Sequence, residues 1–248
     1  MAAPHWLTAK PIAHRGLHDR ASRCIENTLS AARASIEKDF AIECDVQLSS
    51  DGEVFVFHDD HLDRLTTSTG DFKNQTAREI KSLMLKDTAD RISTLREFLD
   101  TLSGRVPLVC EIKSRFDGSI EAVRRVVEIL KSYRGPVALK SFDPLMVEAM
   151  AHLAPERPRG FIGESVYDDP EWDFLSAQQK QDFASLKTFN TMKPDFLSWY
   201  IKDVDHTVPQ MMREQSGLPI MTWTVRTADH LEKARRYADQ IVFEGFIP

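Results

Sequence analysis

Little cysteine, no basic block and no long apolar run: each shortage in this chain excludes something. Three cysteines, Cys24, Cys44 and Cys110, are an odd number in 248 residues. They lack the close spacing of a zinc knuckle or a redox pair. Cys44 and Cys110 stand inside apolar runs and read as small buried hydrophobes, which suits a reducing compartment. No stretch reaches the roughly 18 consecutive apolar residues of a membrane-spanning helix. Residues 1–10 carry no apolar run behind a basic stretch, so no secretory signal is read. The expectation is a soluble, cytoplasmic protein with no membrane partner. A formal charge of −6, without any Lys/Arg-rich stripe, argues against a nucleic-acid partner held through phosphates.

What the chain does have is alternation. Short runs rich in Val, Ile and Phe read as strands at Pro11–Ala13, Ala41–Gln47, Val54–Phe57, Pro107–Ile112, Val137–Leu139, Gly160–Ile162, Phe196–Trp199, Ile220–Val225 and Gln240–Phe243. Helical periods lie between them, as at Thr28–Lys38, Ser119–Tyr133, Leu145–Leu153 and Ala228–Tyr237. About eight such βα units in roughly 250 residues predict an α/β TIM (β/α)8 barrel. A doubly wound open sheet is the runner-up, but Gly16 alone follows the first strand, too little for a dinucleotide fingerprint. Residues 59–104 are long for one crossover and hold two helical patterns, Thr76–Leu85 and Ser93–Leu102. They predict a crossover helix with a small insertion after the second strand region. The chain stops at Pro248, so the final barrel helix is expected to be short or missing. No linker or repeat divides the sequence, and residues 1–248 read as a single domain.

Ionisable residues cluster at the ends of the early strands. His14 follows Pro11-Ile12-Ala13, with Arg15 next. Glu43 and Asp45 are two apart, so in a strand they share a face, about 6.5–7 Å from each other. His58 ends the run Val54–Phe57, and Glu111 shares a face with Lys113. Carboxylates converging at the catalytic end of a barrel repel one another unless a cation sits between them. Oxygen donors without thiolates select a hard divalent ion, Mg²⁺ or Ca²⁺. Arg15 and Lys113 add positive charge for a phosphate. Two imidazoles remain for proton transfer, one at the attacking and one at the leaving oxygen. The set specifies phosphodiester cleavage.

His14-Arg15-Gly16, Glu26-Asn27-Thr28, Glu43-Cys44-Asp45, His58-Asp59 and Glu111-Ile112-Lys113, in this order, resemble the glycerophosphodiester phosphodiesterase family. Asp51-Gly52, Leu62–Thr67, Ser141-Phe142-Asp143 and Trp223-Thr224-Val225 extend the resemblance over residues 10–248. It implies hydrolysis of a small-molecule glycerophosphodiester to sn-glycerol 3-phosphate and an alcohol, by way of a cyclic phosphate. It also implies Glu43, Asp45 and Glu111 as metal ligands, His14 and His58 as the acid/base pair, and Arg15 and Lys113 on the phosphate. A lysophospholipase D on the same scaffold is the alternative enzyme, and a non-catalytic phosphate-binding barrel the alternative of another class.

Other residues keep two readings. Asn27 or Thr28 would cap the following helix, while Glu26 and Asn27 are also candidate supporting residues of the metal site, Glu26 being the one to reach the metal or its waters. Trp223 either packs in the core or walls the glycerol or leaving group. Lys140 reads as a solvated lysine rather than a phosphate contact. Two positions depart from the family pattern: Ile25 replaces a common proline, and Glu244 a usual Asp or Asn.

Overall fold

A computed structural model describes residues 3–248, which gather into two compact units. The first spans Ile12–Val137 and carries β1 (Ile12–Ala13), β2 (Ala41–Leu48), β3 (Val54–Val56) and β4 (Leu108–Ile112). The second joins the N-terminal segment up to Pro11 with Ala138–Pro248. It carries β5 (Val137–Ser141), β6 (Arg159–Gly163), β7 (Phe196–Tyr200), β8 (Ile220–Val225) and β9 (Gln240–Phe243). Eight of the described strands pair in parallel and alternate with helices, the order of a (β/α)8 barrel.

In the first unit β2 is the central strand. It pairs in parallel with β1 through Ile12 and Ala13, and with β4 through Ile42–Val46. Its residues from Ala41 to Gln47 are buried, which explains a run with little simple alternation. The helix Leu29–Glu37 covers this region and starts where Thr28 Oγ1 accepts the N–H of Ala31. Asn27, the other candidate cap, is engaged elsewhere. Gly16 lies against that helix with φ +79°, and an added Cβ would fall 2.8 Å from Ala31 Cβ. Only glycine allows both the turn and the approach.

One strand differs from its sequence reading. β3 is not a barrel strand but returns antiparallel along the end of β2, Val56 opposite Val46 and Val54 opposite Leu48. The apolar run of Phe55 and Phe57 serves a satellite core with Phe72, Leu62, Leu65, Ile80, Leu85 and Ile92. Phe57 and Phe72 stack with centroids 5.0 Å apart. This core belongs to the insertion, which contains helices Ala77–Ser82 and, as the crossover, Leu95–Leu102, each opened by a threonine–glutamate capping box.

The second unit pairs β5 to β9 in sequence order. Among the described residues no helix follows β9, as the sequence predicts, and none is long and apolar enough to cross a membrane. Lys140, expected in solvent, is 2 % exposed on β5, a correction that follows from its position inside a fully covered strand.

Beyond the ends of β6 and β7 this unit buries two acids. Glu164 Oε1 and Asp203 Oδ1 both lack a hydrogen-bond partner, while Asp203 Oδ2 accepts the N–H of Ser165. Burial pushes the Glu164 carboxyl up to about 8, and repulsion from Asp203, Glu171 and Asp169 adds to the effect. Its ordinary value is 4.5. Between those values the folded chain holds a proton that the unfolded chain has released, so stability falls as pH rises through the window. Glu164→Gln is therefore expected to melt above wild type at pH 8 and together with it near pH 4.5. Equal melting temperatures at pH 8 would contradict a protonated buried Glu164.

Candidate active site

The site is assembled on β2 and β4. In their parallel register Asp45 stands beside Glu111, and Glu43 lies two residues back on the same face. All three carboxyls are buried, and one oxygen from each lies within 4.8 Å of the others. The thiols of Cys44 and Cys110 occupy the alternate positions and pair with each other. The donor set turned inward is therefore oxygen only. Three buried carboxyl groups so close fit a hard divalent cation better than they fit one another.

Asp45 is surrounded on several sides. Burial alone would push its carboxyl up. Its interactions with His58, Arg15, Lys113 and His14 outweigh that, and the group is held well below the ordinary carboxylate range. Arg15 Nε lies 3.4 Å from Asp45 Oδ2, and Lys113 Nζ 4.0 Å from Oδ1. Lys113 also pairs with Glu111 at 3.2 Å. For both cations burial works against the charge, yet the facing carboxylates prevail and raise the pKa.

His14 directly follows β1 and is 8 % exposed. The next residue, Arg15, takes a left-handed backbone with φ 56° and donates its N–H to Glu43 Oε2 at 3.1 Å. That turn aims backbone and guanidinium at the same acidic cluster. Asn27 is also left-handed, which asparagine tolerates. Its Nδ2 donates to Asp45 Oδ2 at 2.9 Å, its Oδ1 accepts the N–H of Asp45, and its own N–H donates to Arg15 O. Asn27, rather than Glu26, is thus the neighbour that touches a candidate ligand. Glu26 accepts from Arg15 Nη1 at 2.5 Å and from Arg64. Burial opposes its charge, but those two guanidiniums hold its carboxyl down at about 2.

His58 reaches the cluster through the antiparallel return of β3, where Phe57 N–H donates to Asp45 O. Its Nδ1 is 2.9 Å from Asp59 Oδ1, which turns the other ring nitrogen away from Asp59. Gln47, next in parity after Glu43 and Asp45, donates Nε2 to the carbonyls of Phe57 and Asp59 and so braces the histidine's loop. Parity could have signalled Gln47. Arg64, which binds both Asp59 and Glu26, lies in an irregular segment where no period marks it, and the only sequence signal over it is the Leu62–Thr67 stretch of the family resemblance.

Trp223 belongs to the second unit. Its indole N–H donates to Ser198 O at 3.0 Å, and its ring packs against Tyr200 and edge-on to Phe142. It remains half-buried, so packing engages part of the ring only. His5, His61, His152 and His206 are exposed and His18 and His230 half-buried, and none lies among the three carboxyls.

Known proteins with similar sequences carry matching names. The chain is 27 % identical over 234 residues to the glycerophosphodiester phosphodiesterase of Caldanaerobacter subterraneus, covering 90 % of this chain and 88 % of that one. It is 24 % identical to human glycerophosphodiester phosphodiesterase 1, covering 88 % and 72 %. A solved Oleispira antarctica phosphodiesterase, in complex with the product sn-glycerol-3-phosphate, superposes with a TM-score of 0.76 at 23 % identity, covering 94 % and 92 %. The fold is that of a TIM barrel. The model of the glycerophosphoryl diester phosphodiesterase family matches residues 14–244, and the chain belongs to that family.

Proposed function

We propose that this chain hydrolyses glycerophosphodiesters to sn-glycerol 3-phosphate and an alcohol. The observation that carries the reading is the convergence of Glu43, Asp45 and Glu111 within 4.8 Å, ringed by Arg15, Lys113 and the His58–Asp59 pair. The unbroken family match over residues 14–244 supports treating the chain as one phosphodiesterase domain.

Glu43, Asp45 and Glu111 would hold Mg²⁺ or Ca²⁺, which when bound withdraws charge from a phosphoryl oxygen. Arg15 and Lys113 orient the phosphodiester and compensate its charge. The glycerol 2-hydroxyl, held beside phosphorus, is the nucleophile of the first step. One of His14 and His58 takes its proton, and the other gives a proton to the departing alcohol oxygen. The product of that step is a cyclic phosphate. Water then opens the ring with the histidine roles reversed. Asp59 fixes the His58 ring at Nδ1 and leaves Nε2 for the substrate.

Activity on glycerophosphoethanolamine and glycerophosphocholine is best read by coupling released sn-glycerol 3-phosphate to its dehydrogenase. EDTA is expected to abolish turnover, and either Mg²⁺ or Ca²⁺ to restore it. Full activity in EDTA, or in Glu43→Gln, would remove the metal assignment. His14→Ala and His58→Ala should each lower kcat by about 10²–10⁴, and a tenth or more of wild-type kcat in either would remove that residue from the proton-transfer pair. A substrate analogue lacking the glycerol 2-hydroxyl should bind without being cleaved; cleavage at the normal rate would dismiss the cyclic route.

A further inference from the structure

Arg64 makes four hydrogen bonds to two carboxylates. Nε donates to Asp59 Oδ2 at 2.6 Å and Nη2 to Asp59 Oδ1 at 2.7 Å. Nη1 and Nη2 donate to Glu26 Oε2 and Oε1, both at 2.7 Å. Each carboxylate has a second partner in the site. Asp59 Oδ1 is 2.9 Å from His58 Nδ1, and Glu26 Oε1 accepts from Arg15 Nη1 at 2.5 Å. A continuous chain therefore runs from His58 through Asp59, Arg64 and Glu26 to Arg15.

Isolated surface ion pairs contribute little, because ordering two long side chains offsets a screened attraction. Arg64 differs in two respects. Both edges of its fork are engaged, the geometry in which guanidinium binds carboxylate best. Its partners are also well covered: the Glu26 and Asp59 side chains are 12 % and 16 % exposed, against 45 % for Arg64. Without the guanidinium, Glu26 would lean on Arg15 alone and Asp59 on His58 alone. The segment around Arg64 is anchored independently. Leu62 and Leu65 are buried in the insertion core, and the backbone bonds Leu62 N–H to Gly70 O and Lys86 N–H to Leu65 O secure its ends.

We propose that Arg64 is a positioning residue: by bridging Asp59 and Glu26 it fixes the His58 imidazole and the Arg15 guanidinium in one mutual geometry. The inference rests on the phosphodiesterase reading, which gives those two groups their contact with substrate. Arg64 touches no reacting atom. It acts at one remove, by taking up the charge of the two carboxylates that hold groups which do.

The test uses Arg64→Ala and Arg64→Lys in the full chain, assayed on glycerophosphoethanolamine with the activating metal. Arg64→Ala is expected to lose about tenfold or more in kcat, since small misplacements of reacting groups are that costly, while its melting temperature stays near wild type. Lysine should recover little, because one ammonium cannot fork to both carboxylates. Added millimolar guanidinium should restore part of the lost kcat in Arg64→Ala, and urea at the same concentration should not. Wild-type kcat in Arg64→Ala would overturn the proposal, as would a loss that follows a lowered melting temperature and resists guanidinium. Nitrogen-15 spectra of the histidine rings read positioning without turnover. The His58 resonances should be single in wild type and broadened or doubled in Arg64→Ala, and an unchanged spectrum would also overturn it. Should wild type cleave no glycerophosphodiester, the functional reading fails, and the imidazole spectra decide the role of Arg64 alone.

Discussion

Asp45 is 1 % exposed and charged, and a buried carboxylate must be surrounded by groups that satisfy it. Much of the first unit follows from that demand. Arg15 and Lys113 approach it from the ends of β1 and β4, and Asn27 clamps it from the turn before the first long helix. His58 comes to it on the returning β3. Four separate stretches of chain thus meet at one side chain. The same convergence keeps Glu43 and Glu111 close to Asp45, where like charges would otherwise separate. Three carboxyl groups held this close suit a hard divalent cation between them.

Meeting that demand costs backbone freedom. Arg15 and Asn27 both adopt left-handed conformations; asparagine tolerates this, but at Arg15 it carries strain that the surroundings must outweigh. The Asn27 N–H to Arg15 O bond ties the two turns together, so each constrains the other. Arg64 extends the network outward to the insertion. Its satellite aromatic core takes up Phe55 of β3 and Phe57 just beyond it, while β3 itself is paired to β2. The insertion is therefore part of the site's scaffold, not a decoration on the barrel.

The second unit contains a different electrostatic solution. Glu164 and Asp203 are buried without a cationic side chain bonded to them, and burial raises both carboxyls instead of lowering them. Asp45 and Glu164 are acids of similar exposure with opposite shifts. Burial pushes both up; guanidinium, ammonium and imidazole outweigh it at Asp45, whereas further carboxyls add to it at Glu164.

Residue pattern alone determined a good deal. Alternating apolar runs and helical periods are dictated by which faces must be buried, so all nine strands and the TIM-barrel class were legible. Strand parity is a local geometric fact, so Glu43, Asp45 and Glu111 could be assigned to one face, with Cys44 and Cys110 on the other. Direction and partnership are not local, and only tertiary structure decided them. β3 runs antiparallel because the tight Ser49–Glu53 turn, with Gly52 at φ 85°, reverses the chain after β2, and its pairing with β2 rather than with a barrel neighbour is what the run of Val and Phe does not announce. Thr28 rather than Asn27 caps the helix because Asn27 is claimed by Asp45, 18 residues further on. Lys140 is buried because the strand around it is covered on both faces. Arg64 stands in a segment without period, and its partners are two carboxylates 38 and 5 residues away, the farther of which only folding brings to it. The carboxyl cluster was thus readable from the chain, whereas the network that holds it together belongs to the fold.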